Sequence, residues 1–121
     1  AMEYERAFVQ AGGTLAAGVD PTGYGAAPPG LGDQRNYELL LEAGFSAPEV
    51  VQIMSGNGAK VLGVLDDVGT VEAGKLADLV VIEGDLEELG NLHNTKIVFR
   101  HGIGWDSAKL MDSVRGIVGI R

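Results

Sequence analysis

The chain contains no cysteine, which excludes a disulfide framework, a thiolate metal site and a cysteine nucleophile, and leaves the redox compartment unread. Basic residues are scarce: nine Lys+Arg stand against seventeen Asp+Glu, a formal net charge of −8. Nucleic acid is therefore not an expected partner, because phosphate binding needs clustered positive charge. No apolar run approaches the ~18 to 20 residues that span a bilayer, so no membrane partner is expected either. The first six residues lack the charged-then-apolar layout of a secretion signal. There are only two histidines, His93 and His101. They are too far apart to form a local His-x-His or His-Glu-x-x-His motif, and both read as exposed loop or strand-end polarity, since a catalytic zinc usually takes about three protein ligands. Finally, 121 residues cannot hold a complete (β/α)8 barrel, which needs about 250.

What remains is ordinary globular material, 45% hydrophobic and 21% charged, with 19 glycines and 4 prolines that imply many turns. Residues 3–10 favour a helix, closed by Gly12-Gly13 where glycine best fills a left-handed cap. Residues 14–19 read as a short buried strand stopped by Asp20-Pro21. The following stretch to residue 32 carries Gly23, Gly25, Gly30 and Gly32 with Pro28 and Pro29, a loop by its turn chemistry. A helical pattern starts at Asp33, with Tyr37, Leu40 and Leu41 on one face and Gly44 as its stop. Ser46 and Glu49 have capping-box spacing, which predicts a second helix over about 47–62, weakened by Gly56 and Gly58. Beyond Gly63 the apolar runs become short and rich in Val and Ile. Residues 68–71 predict a weak strand or turn, 79–82 and 96–100 two strands, and 102–105 a hairpin partner for the last of these. A closing helix over about 107–114 would use Ser107 as its cap.

Few local motifs carry chemistry. The glycine pairs Gly23/Gly25 and Gly56/Gly58 lack the third glycine of a dinucleotide fingerprint, and the second pair falls inside a predicted helix. The acidic group Glu83, Asp85, Glu87 and Glu88 does not match a calcium loop and reads as a solvated turn. Asp20 is the most informative single residue. A carboxylate at the carboxyl end of a buried strand, followed by proline and a glycine-rich loop, sits where barrel enzymes gather their active sites; it could ligate a metal or act as a general base. An aspartate that merely opens a turn before proline has the same local appearance.

Taken together, four blocks change the reading. Ala17-Gly18-Val19-Asp20-Pro21-Thr22-Gly23-Tyr24-Gly25, Tyr37-Glu38-Leu39-Leu40-Leu41-Glu42-Ala43-Gly44, Asn57-Gly58-Ala59-Lys60-Val61-Leu62-Gly63, and Gly69-Thr70-Val71-Glu72-Ala73-Gly74-Lys75-Leu76-Ala77-Asp78-Leu79-Val80-Val81 occur in an order that resembles the amidohydrolase superfamily. Within it, the chain is most similar to imidazolonepropionase-like and prolidase-like metal-dependent hydrolases. The resemblance implies an α/β fold: the C-terminal fragment of a (β/α)8 barrel, with its last strand and following helices, plus strands of a small β-sandwich. It implies residues 1–63 as the terminal barrel portion, 64–106 as the C-terminal share of the sandwich, and 107–121 as a helical tail. It also implies hydrolysis of C–N bonds in amides, peptides or cyclic amides by metal-activated water. Asp20 would be the metal-proximal carboxylate and catalytic base, the metal being zinc or another divalent ion. Tyr24 and Arg35 are candidate substrate contacts, while Lys75 and Asp78 fall in structural positions.

The family's first-strand His-x-His pair, its fourth-strand bridging residue and its fifth- and sixth-strand histidines have no counterpart in this chain, and neither His93 nor His101 stands at a matching position. Asp20 alone should not retain a catalytic ion, so the isolated chain is expected to be inactive and to hold no metal. Strands built to pair on both sides would expose edges and apolar faces, which predicts a homo-oligomer formed through exposed strands. A missing N-terminal segment as partner, a noncatalytic self-associating module and one half of a split hydrolase are the alternatives.

Overall fold

A computed structural model describes residues 2–21 and 27–117. Helix α1 (Met2–Gln10) is followed by α2 (Leu31–Glu42), α3 (Ala47–Val51), a π-helical turn (Gln52–Gly56) and α4 (Asn57–Val61). Strand β1 (Leu79–Ile82), a 3₁₀ turn (Asn91–Asn94), β2 (Thr95–Arg100), β3 (Ile103–Asp106) and α5 (Ser107–Ser113) complete the described order. The architecture is α/β, with the helices grouped in the first half and one antiparallel sheet, ordered β1-β2-β3, in the second.

The helical half is organised by its turns. At the end of α2, Gly44 takes a φ of +90°, its N–H donates to the carbonyl of Leu41, and the next N–H, of Phe45, donates to that of Leu40. This paired arrangement caps two otherwise unpaired carbonyls and needs the left-handed conformation that glycine adopts without steric cost. It also brings Phe45 back onto Leu40, and both are buried in the core with Tyr37, Ala47, Val50 and Ile53. The same paired bonds close α1 at Gly12 and α4 at Gly63. The chain then re-enters a helix at Ser46, whose N–H and hydroxyl both donate to the Glu49 carboxylate, at 2.8 and 2.7 Å. The expected capping-box residues are thus engaged, the carboxylate being the common acceptor.

Four sequence expectations are modified. The helix expected over 47–62 is interrupted by the π-helical turn, in which the N–H of Asn57 reaches back five residues to the Gln52 carbonyl. The Gln52 amide bonds the Asn57 side chain at 2.9 Å and the Ser55 hydroxyl donates to the Gly69 carbonyl at 3.0 Å; a regular helix would rotate these contacts away. The second helix begins at Leu31 rather than Asp33, and Asp33 serves in its first turn, accepting from the N–H of Gly30. In α5 the cap is Asp106, which accepts from the N–H of Lys109, not Ser107. Residues 68–71, expected as a weak strand or turn, take the second form and bend without a strand.

The fourth modification bears on function. Residues 14–19 form no ladder, although their burial alternates strictly, as it does in an extended chain that rests one side on a neighbour. Leu15 and Ala17 pack on the helical core. A strand needs a partner as well as a pattern, and no described segment runs alongside to supply one.

The sheet matches its sequence signature more closely. Leu79, Val80 and Val81 face Phe99, Val98 and Ile97, and the register shifts before Ile82. Residues Ile97–Arg100 then pair with β3 through a two-residue turn at His101-Gly102, both with positive φ, the geometry that matches the twist of a tight hairpin. Tyr37 and Glu87 join the two halves: the Tyr37 hydroxyl donates to the Leu86 carbonyl at 3.2 Å, and the Glu87 carboxylate accepts from the Ala47 N–H at 2.8 Å.

With only a few side chains in this core, truncating one should be felt throughout. Ile53→Ala is expected to cost about 2 to 5 kcal/mol, a large share of the roughly 5 to 15 kcal/mol typical of a domain. Urea denaturation followed by circular dichroism measures it; a loss below about 0.5 kcal/mol, the surface range, would contradict the core assignment.

Candidate functional site

Asp20 ends the segment that follows α1 and is exposed. Its φ is +40°, a left-handed conformation in which aspartate is enriched among residues that carry a side chain. The turn therefore sets the carboxylate at the end of a segment held from below. That hold comes from the packing of Leu15 and Ala17 and from Asn57, whose side-chain amide donates to the Leu15 carbonyl at 2.7 Å. Asn57 belongs to a block quoted for its family likeness, but its tie to the Asp20 segment depends on the π-helical turn and has no signature in the residues alone.

A cleft of about 400 Å³ runs beside the same segment, between α1 and α2, bordered by Glu5, residues 15–18, Asn36 and Leu39. The Nδ2 of Asn36 is buried and has no hydrogen-bond partner among the described residues. Sequence reading passed over Asn36; the signal was an amide one helical turn before Leu40, on the flank of the apolar face.

The other expected residues are placed elsewhere. Arg35, exposed on α2, forms ion pairs with Glu38 at 2.9 Å and Glu42 at 2.7 Å on its own helix. Hydrogen bonds to Glu42 and then Glu38 raise its pKa above the ordinary value. Tyr24 lies outside the described residues. His93 stands in the 3₁₀ turn with its Nε2 at 3.9 Å from Glu38, and His101 occupies the hairpin turn. Among the described residues, no three His, Cys, Asp or Glu side chains come together in a group that could hold a metal ion.

The block from Gly69 to Val81 supplies architecture. The Lys75 ammonium donates to the Leu65 carbonyl at 2.6 Å and to the Thr70 hydroxyl, with Glu72 at 3.4 Å. It thus pins a loop that has little apolar burial of its own. Asp78 accepts from the His101 N–H at 2.6 Å and from Arg100, fastening the start of β1 to the hairpin turn.

Three comparisons identify this arrangement. The sequence model of the Amidohydrolase family matches residues 12–104. The chain belongs to the amidohydrolase family. An imidazolonepropionase of Bdellovibrio bacteriovorus is 32% identical, the match covering 80% of this chain and 23% of that protein. The crystal structure of a Xaa-Pro dipeptidase with methionine in its active site superposes with a TM-score of 0.74 at 27% identity, covering 88% of this chain and 25% of the other. An amidohydrolase of Thermotoga maritima superposes at 0.68 and 26% identity, covering 85% and 25%. This amidohydrolase chain therefore spans about a quarter of the length of the relatives it matches. The family generally uses divalent metals, and the described residues do not by themselves fit one.

Asp78 also ties stability to pH. The His101 N–H, and after it the charges of Arg100 and His101, lower its carboxyl pKa from the ordinary 3.8. A carboxyl depressed by folding stabilises fully above its unfolded pKa and loses that contribution as pH falls through the folded value. Glu49, bonded by Ser46, Glu72, bonded by Thr70, and Glu83, bonded by Lys96, are lowered too and act in the same direction. The urea midpoint should fall as pH drops from about 5 to about 2.5. Asp78→Asn should lower the midpoint near pH 7 and flatten that slope, whereas an unchanged slope would assign the acid sensitivity to other groups.

Proposed function

We propose that this chain is the C-terminal portion of an amidohydrolase that cleaves C–N bonds of amides, peptides or cyclic amides with water. Residues 1–63 then form the end of the barrel, 64–106 a share of the sandwich and 107–121 a tail. The single observation that carries the reading is the family match across residues 12–104, which contains Asp20 at the end of the segment read as the last barrel strand.

In this reading Asp20 is the catalytic residue. Its carboxylate takes the proton of the attacking water and returns it to the leaving nitrogen, the general base and then general acid role that suits an exposed carboxylate at the end of a held segment. Asn57 is a positioning residue, acting through the Leu15 carbonyl. Arg35 stays with Glu38 and Glu42, so no substrate contact is assigned to it. Asp20 would be this chain's contribution to a site whose other polar groups reside on further polypeptide, and the isolated 121 residues are inactive.

Two measurements test this. After zinc loading and exhaustive dialysis, elemental mass spectrometry of the isolated chain should find far less than one metal per chain; stoichiometric metal that Asp20→Ala abolishes would overturn the incomplete-site reading. A chimera in which residues 12–104 replace the matching quarter of the Bdellovibrio enzyme should retain activity, and Asp20→Asn within it should lower kcat/KM by about 10²- to 10⁴-fold. An active chimera indifferent to that substitution would remove Asp20 from the catalytic role.

A further inference from the structure

Of the four asparagines in the chain, Asn57 alone is followed by a glycine. The side-chain carbonyl carbon of an asparagine is open to attack by the backbone nitrogen of the next residue. The new C–N bond closes a five-membered ring, and the side-chain nitrogen leaves as ammonia with the proton that the backbone nitrogen gives up. Water then opens the ring to aspartate or, more often, isoaspartate. A following glycine speeds the closure, because no side chain crowds its nitrogen and its backbone turns freely.

The folded chain holds Asn57 out of this reaction. Its φ of −69° and ψ of −37° are helical, which keeps the Gly58 nitrogen away from the side-chain carbonyl carbon. Both ends of the amide are engaged: Oδ1 accepts from Gln52 at 2.9 Å, and Nδ2 donates to the Leu15 carbonyl at 2.7 Å. The first bond is local to the π-helical turn. The second exists only while residues 14–19 rest on the helical half, and α4, five residues long, is too short to hold its shape without tertiary contacts. Nothing in the packing calls for glycine at 58. A Cβ there would meet nothing within 4 Å, and its φ is not positive, so alanine would fit and would favour the helix.

We propose that Asn57-Gly58 is a deamidation site gated by the segment that carries Asp20. While Leu15 and Ala17 pack on the helical core, the amide is latched and the ring cannot close. When the segment lifts, the first turn of α4 loosens and the Gly58 nitrogen gains access to the side-chain carbonyl carbon. The product does not restore the seat. An aspartate product sets a carboxylate oxygen where the amide had donated, so two acceptors face each other at the Leu15 carbonyl with no proton between them. An isoaspartate product routes the main chain through an extra carbon and breaks the helical repeat at the first residue of α4. The modification therefore makes some liftings permanent and records how often the Asp20 segment has left its place.

Peptide mapping by mass spectrometry, after incubation at mildly alkaline pH and body temperature, follows the reaction. Asn57 should gain about 1 Da, the difference between an amide and an acid, at least about tenfold faster in urea than in the folded chain, where only the open fraction reacts. In urea, Gly58→Ala should slow the conversion, and Asn36, Asn91 and Asn94 should convert more slowly than Asn57. Leu15→Ala loosens the segment without touching the pair; it should raise the folded-state rate about threefold or more, as the open population grows, and leave the rate in urea alone. Val98→Ala loosens the sheet instead and should keep the parent's folded-state rate, with circular dichroism confirming that each variant is folded. Thermolysin should cut within residues 14–19 faster in Asn57→Asp, and in the deamidated parent chain separated by anion exchange, than in the unmodified parent. Equal rates in the folded chain and in urea overturn the proposal. So does a folded-state rate that Leu15→Ala leaves unchanged or that Val98→Ala raises as much, and so does equal thermolysin cleavage of the deamidated and unmodified chains.

Discussion

The reversal of the chain between α2 and α3 is the constraint on which the helical half depends. Gly44 turns the backbone in a conformation that other residues resist, and the two carbonyls it caps are those of Leu41 and, through Phe45, Leu40. Because the cap and the apolar contact form together, Phe45 cannot enter the core without the turn, nor the turn close without setting Phe45 on Leu40. Val50 and Ile53 then follow within two helical turns of Phe45, and the core is complete within a short stretch of chain. The segment leading to Asp20 lies on this platform, held through Leu15 and Ala17.

Much of this was legible because it is local. Gly12, Gly44 and Gly63 close helices where a glycine following an apolar periodicity says they should. Ser46 and Glu49 open one, and the Val and Ile runs became β1 and β2 almost residue for residue. The π-helical turn was not legible, because it goes with contacts from Ser55 to Gly69 and from Asn57 to Leu15 that only the tertiary arrangement provides. Residues 14–19 show the converse. They were expected to form a short buried strand and instead alternate between exposed and half-buried without a ladder, because strand formation depends on a neighbour that no property of those six residues supplies.

The candidate site divides in the same way. Asp20 could be singled out from its position before proline and a glycine-rich stretch, and family membership gives that choice its meaning. The surroundings of Asp20 follow from packing: the Asn57 amide on the Leu15 carbonyl, the cleft beside residues 15–18, and the buried Asn36 amide. Arg35 illustrates why a charged residue is a poor guide by itself. Spacing of three and seven residues sets Glu38 and Glu42 within its reach on one helix, and helical geometry alone accounts for its partners.

The bonds from Asp78 to the His101 turn also impose an order on the growth of the sheet. The β2–β3 hairpin closes through two residues, whereas β1 must arrive across the whole stretch from Glu83 to Asn94. The loss of chain freedom on closing a loop rises with its length, and short-range contacts form first. The hairpin is thus the nucleus onto which β1 docks, and Asp78 meets the His101 N–H only when docking is complete. The carboxylate acts as a latch that slows departure of β1 more than it speeds its arrival.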